Sequence, residues 1–118
     1  KPLGTAGSLK LIASKLKKTF IVTNCDILIF SNYPAIIDFH KKNNYDLTLI
    51  SSIRNHVVPY GVCETDNKGE LKKINEKPEY NFFVNTGFYI IEPKVIKLIP
   101  TNKQYNMNEL INAVKKGG

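Results

Sequence analysis

Four short segments hold the residue types that could do chemistry. Asn24-Cys25-Asp26 places a carboxylate directly after the β-branched run Phe20-Ile21-Val22-Thr23. In open α/β sheets ligands bind beyond the carboxyl ends of strands, and Mg²⁺ takes one or two carboxylates plus phosphate oxygens, so Asp26 is a candidate metal ligand. An Asp that merely ends a strand and caps a turn accounts for the same position. Glu76-Lys77-Pro78 offers a carboxylate for sugar hydroxyls and an ammonium for a phosphate; a surface charge pair before a proline is the plainer reading. Asn85-Thr86-Gly87 breaks an apolar run, which suggests a bulge or a close ligand approach. Gly4-Thr5-Ala6-Gly7-Ser8 is small and flexible before a helix, where backbone amides can meet an anion, although Gly and Thr there also serve simply as a cap.

The remaining reactive side chains form no constellation. Ser31, Ser51 and Ser52 have no His/Asp pattern around them, so nucleophilic catalysis lacks support. His40 lies on an apolar helical stripe and reads as a satisfied core or boundary histidine. His56 falls in a predicted loop without an arguable role. Cys25 and Cys63 read as small buried residues.

The elements that position these segments follow from periodicity. Leu3, Ala6, Leu9, Ala13 and Leu16 recur at steps of three and four and predict a helix that Thr5 could cap. Phe20–Thr23 predicts a buried strand. Tyr33, Ile36, Ile37 and His40, with Pro34 in the first turn, predict a second helix to about Asn43. Asp46–Ile53 predicts a second strand. This alternation is the rhythm of a parallel sheet with crossover helices. A hairpin follows, with strands Tyr60–Glu64 and Leu71–Ile74 around Asp66-Asn67-Lys68-Gly69. Phe82–Ile91 predicts a long strand, Pro93–Leu98 a short helix, and Met107, Leu110, Ile111 and Val114 a last helix that stops at Gly117-Gly118. The expected class is α/β with a mixed sheet.

Composition bounds the functions. The chain has 118 residues, 42% of them hydrophobic and 23% charged, which fits one globular domain. No apolar stretch approaches the ~18–20 residues that span a bilayer. Two cysteines without paired spacing exclude a zinc module and a disulfide scaffold, and a reduced, cytoplasmic setting is expected. The net charge of +7 comes from scattered lysines and a single arginine, Arg54. That is a solvated basic surface compatible with an anionic small substrate, rather than the clustered, Arg-rich face of a nucleic-acid reader.

Five blocks in order carry a resemblance: Pro2-Leu3-Gly4-Thr5-Ala6-Gly7-Ser8-Leu9, Asn24-Cys25-Asp26, Tyr60-Gly61-Val62, Glu76-Lys77-Pro78 and Val84-Asn85-Thr86-Gly87-Phe88-Tyr89. Through nearly all 118 residues the chain resembles the sugar-nucleotide pyrophosphorylases, the nucleotidyltransferases that act on sugar 1-phosphates. The resemblance implies a Rossmann-like, three-layer nucleotidyltransferase fold. It implies nucleotide contact by Leu3, Gly4 and Thr5, and Mg²⁺ held by Asp26. It implies sugar-phosphate contact by Gly61, Glu76, Lys77, Asn85 and Thr86, with Asp26 and Lys77 as the catalytic residues.

The family opens with a first strand and a G-x-G-T-R-like triphosphate loop, and carries a second metal-binding Asp in a W-x-D-x-G-like segment. Neither matches anything here, so residues 1–118 are expected to be the middle of a catalytic domain, inactive alone and with apolar surface left open to association. The implied reaction is attack of a sugar 1-phosphate oxygen on the α-phosphorus of a nucleoside triphosphate, with pyrophosphate leaving. The opening block and the Asn-Cys-Asp triplet look most like guanylyltransferases for mannose- or glucosamine-type sugars, which makes GTP the expected donor. The alternatives are a sugar-nucleotide-dependent glycosyltransferase, whose D-x-D motif the triplet loosely resembles, and a non-catalytic sugar-phosphate or nucleotide sensor. The expected partners are the triphosphate and the sugar 1-phosphate, with no nucleic acid, no membrane, and a second copy of the chain as an option.

Overall fold

A computed structural model describes residues 2–117. The chain divides into two compact units, residues 1–50 with 87–118 and residues 51–86. Lys1 and Gly118, and with Gly118 the expected stop signal of the last helix, lie outside the described residues.

The first unit is built around the carboxyl-terminal end of one strand. Strand β1 (Phe20–Thr23) and helix α2 (Tyr33–Lys42) lie where periodicity predicts them. Asn32 caps α2 by accepting the Ala35 amide, and Pro34 occupies the first turn, where its missing donor costs nothing. The sheet order is β1-β5-β2, with β2 at Leu47–Val57 and β5 at Glu79–Ile91. β1 and β5 are antiparallel, Phe20 opposite Ile91 and Thr23 opposite Phe88. The strands expected to be parallel neighbours, β1 and β2, are therefore separated by β5. The reason is apolar content: Phe88, Tyr89, Ile90 and Ile91 are all buried, and a run buried on both faces belongs in the middle of a sheet.

Tyr89 and Ile91 pack with Ala6, Val95, Ile96, Ile99, Met107 and Leu110 into one core. The latter residues come from the opening segment, a 3-10 helix at Pro93–Leu98 with the Ile99 that follows it, and helix α3 (Met107–Gly117). The first predicted helix is shorter and tighter than expected: α1 covers only Gly4–Gly7 and continues as a 3-10 helix over Ser8–Ile12. Two glycines and a serine in the first five positions weaken an α-helix. The apolar face survives the change, because Leu9, Ala13 and Leu16 still rest on the core.

His40 is fully buried and satisfied. Its Nδ1 lies 2.7 Å from Thr48 Oγ1 and its Nε2 lies 3.2 Å from Glu92 Oε1, while the Thr19 hydroxyl donates to the same Glu92 oxygen at 2.6 Å. One imidazole thus ties α2 to β2 and to the end of β5.

In the second unit β3 (Val62–Thr65) and β4 (Leu71–Asn75) form the expected hairpin. Asp66 Oδ1 accepts the amides of Lys68 and Glu70, and Gly69 turns at φ +85°. His56 lies within β2, not in a loop. Both cysteines are exposed, not buried, because Cys25 occupies the turn after β1 and Cys63 a two-stranded ribbon. No described helix is long and apolar enough to cross a membrane.

Replacing His40 with Ala removes buried volume, takes the imidazole partner from Thr48 Oγ1 and leaves Glu92 Oε1 with Thr19 alone. We expect a loss of about 2–4 kcal/mol in urea unfolding, and a variant as stable as the wild type would show that the clasp carries no load.

Candidate functional site

The candidate residues fall into two groups, one in each unit. In the first unit, the opening block is fastened to the start of α3. The amides of Ala6 and Gly7 both donate to the Tyr105 carbonyl, at 3.0 and 2.9 Å, and the Tyr105 amide donates to the Leu3 carbonyl at 2.8 Å. The Thr5 amide donates to Asn106 Oδ1 at 3.4 Å, and Thr5 Oγ1 accepts the Met107 amide at 2.8 Å. Thr5 therefore caps α3, about a hundred residues away, and not its own helix, whose N-cap is Leu3. The amides of Thr5, Ala6 and Gly7 are all committed within the chain, so the anion-cradle reading of those three groups fails. Gly4 turns at φ +76°, and a Cβ there would lie 2.6 Å from both Asn106 Oδ1 and the Tyr105 carbonyl oxygen. Only glycine allows the block to lie this close.

The end of β1 meets the last of the four segments at Gly87. The Asn24 amide donates to the Gly87 carbonyl at 3.1 Å, and the Asn24 carboxamide lies 2.6 Å from where a Gly87 Cβ would be. Gly87 itself is buried at φ +75°. β5 runs unbroken through Asn85-Thr86-Gly87, so the predicted interruption is a local change of backbone conformation and not a gap. Thr5, Val22, Thr23, Asn24, Tyr89, Asn106, Met107 and Asn108 enclose a cleft of about 270 Å³. Its lining is uncharged, with three carboxamides and three hydroxyls. Two larger hollows, of about 370 and 420 Å³, contain none of the predicted site residues.

Asp26 follows in the turn after β1, exposed, and among the described residues no hydrogen bond or ion pair engages its carboxylate. Among the described residues no group of three His, Cys, Asp or Glu side chains could hold a metal ion. This donor set does not suit a metal caged by protein alone. It fits a Mg²⁺ ion that brings phosphate oxygens and water with it and needs one carboxylate from the chain.

In the second unit the structure brings two predicted sugar-contacting residues together. A Cβ on Gly61 would lie 3.0 Å from Glu76 Oε2, so the glycine leaves the carboxylate its place beside the backbone. Lys77 stands at φ +45°, in the left-handed region, immediately before Pro78. Both facts disfavour that backbone, and such strain persists only where neighbours hold it. One holder is the Val58 amide, which donates to the Pro78 carbonyl at 3.0 Å. Asn85 and Thr86 lie on β5, Thr86 half-buried and Asn85 exposed.

The nucleotidyl transferase family model matches residues 1–116. The chain belongs to the nucleotidyl transferase family. It is similar to a UTP--glucose-1-phosphate uridylyltransferase of Synechocystis sp., 34% identical over 91% of this chain and 30% of that protein. It is also similar to a mannose-1-phosphate guanyltransferase of Yarrowia lipolytica, 35% identical over 83% of this chain and 29% of that one. A mannose-1-phosphate guanylyltransferase of Mycobacterium tuberculosis is 31% identical over 90% and 30%, respectively. The chain thus spans less than a third of the length of these relatives. Among solved structures, HddC from Yersinia pseudotuberculosis complexed with GMP-PN shares the fold, with a TM-score of 0.61 at 20% identity, covering all of this chain and 64% of that one. This nucleotidyl transferase segment has the α/β class that its sequence predicts, with β1 and β5, and β3 and β4, paired antiparallel.

Sequence reasoning missed Asn106. The available signal was Asn106-x-x-Glu109 before an apolar run, a capping-box spacing, and the structure shows Glu109 Oε2 accepting the Asn106 amide at 2.7 Å.

Gly87 and Gly69 make a matched test of the contact with Asn24. Both turn at positive φ, but nothing lies within 4 Å of a Cβ on Gly69. Gly69→Ala should cost about 1–2 kcal/mol, the price of the backbone alone, and Gly87→Ala clearly more. Equal losses in thermal unfolding would remove the Asn24 contact from the account.

Proposed function

We propose that the protein carrying this segment transfers a nucleotidyl group from a nucleoside triphosphate to a sugar 1-phosphate, releasing pyrophosphate. Family membership supports the reaction class, and the observation that carries the site is Asp26: an exposed carboxylate, unengaged among the described residues, at the carboxyl end of β1. In this reading Asp26 holds Mg²⁺, which when bound neutralises charge on the phosphates at the reacting centre. The attacking sugar phosphate is already an anion near neutral pH, so no side chain has to remove a proton. The chain's task is then positioning and charge neutralisation.

The residues divide that task. Leu3, Gly4 and Thr5 contact the nucleotide. Gly61, Glu76, Asn85 and Thr86 hold the sugar phosphate, Glu76 by accepting from hydroxyls, and Lys77 places an ammonium on the phosphate. The strained backbone at Lys77 supports this role, since strain of this kind gathers at ligand clamps. Residues 1–118 are, in this reading, a partial catalytic domain working within the complete protein. We favour GTP as donor and a mannose- or glucosamine-type 1-phosphate as acceptor. The guanyltransferase relatives support that choice, while the uridylyltransferase relative, at nearly the same identity, makes UTP the comparison that matters.

The test is pyrophosphate release by the full-length protein with Mg²⁺, a set of nucleoside triphosphates and a panel of hexose and hexosamine 1-phosphates. Asp26→Asn should lower the rate by about a hundredfold or more with the fold intact. Undiminished turnover would remove Asp26 from the centre. Lys77→Ala should raise the KM for the sugar 1-phosphate. Lys77→Gly should weaken that substrate equally yet melt higher than Lys77→Ala, because glycine relieves the positive φ. A change confined to the nucleotide KM would overturn the assignment of Lys77.

A further inference from the structure

The Gly4–Thr5 turn has almost no structure of its own. Its helix is four residues long and has no side-chain cap. Its shape comes from the segment before α3, and one side chain there meets both residues of the turn. Asn106 Oδ1 accepts the Thr5 amide at 3.4 Å and lies 2.6 Å from where a Cβ on Gly4 would be. Asn106 is itself held. Its amide donates to Glu109 Oε2 at 2.7 Å, and its carbonyl accepts the amides of Glu109 and Leu110 at 3.0 and 3.2 Å. Leu110 is fully buried in the core. A rigid helix start thus presents one carboxamide oxygen to a turn that cannot hold its own conformation.

We propose that Asn106 is a positioning residue for the nucleotide contact made by the Gly4–Thr5 turn. The proposal rests on the nucleotidyl-transfer reading above and adds to it a residue that acts on one substrate only. Asn106 fixes the path of the Gly4 and Thr5 backbone. Without its side chain the Thr5 amide loses its partner, and the turn, still tied at Tyr105 and Met107, samples backbone positions at Thr5 that fit the base and ribose less well. The sugar-phosphate residues Gly61, Glu76, Lys77, Asn85 and Thr86 belong to the other unit.

Steady-state kinetics of the full-length protein separate the possibilities. Asn106→Ala should raise the KM for the nucleoside triphosphate about five- to tenfold, the scale of one lost hydrogen bond, and leave the KM for the sugar 1-phosphate and kcat within about twofold. Asn106→Asp, which keeps an acceptor at the same place, should restore most of the nucleotide KM. Glu109→Ala loosens the same helix start but leaves the Asn106 oxygen, so it should lower the melting temperature without the selective rise in nucleotide KM. Equal effects on both substrates, an unchanged nucleotide KM, or matching behaviour of Glu109→Ala and Asn106→Ala would each overturn the proposal. Should Asn106→Ala not fold, Asn106→Ser and Asn106→Asp carry the same comparison. A wild-type protein that neither binds nucleotide nor releases pyrophosphate would fail the functional reading itself. An active wild type whose Asn106 variants lack the selective effect would fail only this inference.

Discussion

Burial of Phe88–Ile91 on both faces is the constraint from which the first unit follows. A four-residue run that must leave water on both sides takes the centre of a sheet, and β5 accordingly stands between β1 and β2. Its antiparallel register with β1 then sets where β1 ends, because Thr23 lies opposite Phe88 and the Asn24 amide reaches the Gly87 carbonyl. Asp26 comes two residues later. The position of the candidate metal ligand is thus a consequence of core packing, transmitted through a strand register and one glycine that leaves space for a carboxamide.

The second determinant is the exchange of caps between the opening block and α3. Thr5 Oγ1 accepts the Met107 amide, and Asn106 Oδ1 accepts the Thr5 amide. Together with the three backbone bonds at Tyr105, this joins segments separated by about a hundred residues in sequence. Closing so long a loop costs chain entropy, which the apolar contacts of Ala6, Met107 and Leu110 in the shared core help to offset. The exchange also decides which groups remain for a ligand, since the amides of Thr5, Ala6 and Gly7 are used up.

The second unit shows a different economy. Its hairpin is specified locally by Asp66 and Gly69, but the Gly61–Glu76 approach and the left-handed backbone of Lys77 are not required for a hairpin. They are features that a functional reading explains and that packing alone does not demand. Its open ribbon also leaves Cys63, Leu71 and Ile74 exposed.

The sequence by itself determined the elements whose information is local. The β-branched Phe20–Thr23 run, the Asn32-Tyr33-Pro34 helix start, the Asp66–Gly69 turn and the apolar face of α3 each rest on side chains a few residues apart. The ordered motifs also determined the family, and with it a specific list of candidate residues. Tertiary structure alone decided the strand order, because nothing in β1 or β2 records that a more apolar strand, far along the chain, will come between them. It also decided the fate of the opening block, where an α-helical pattern tightened into a 3-10 helix and Thr5 capped a distant helix instead of its own. Exposure of the cysteines followed from the same kind of non-local fact, since burial depends on what else packs nearby. Hydrogen bonds and register between remote segments are set by the shared core, and a pattern of neighbours along the chain does not encode them.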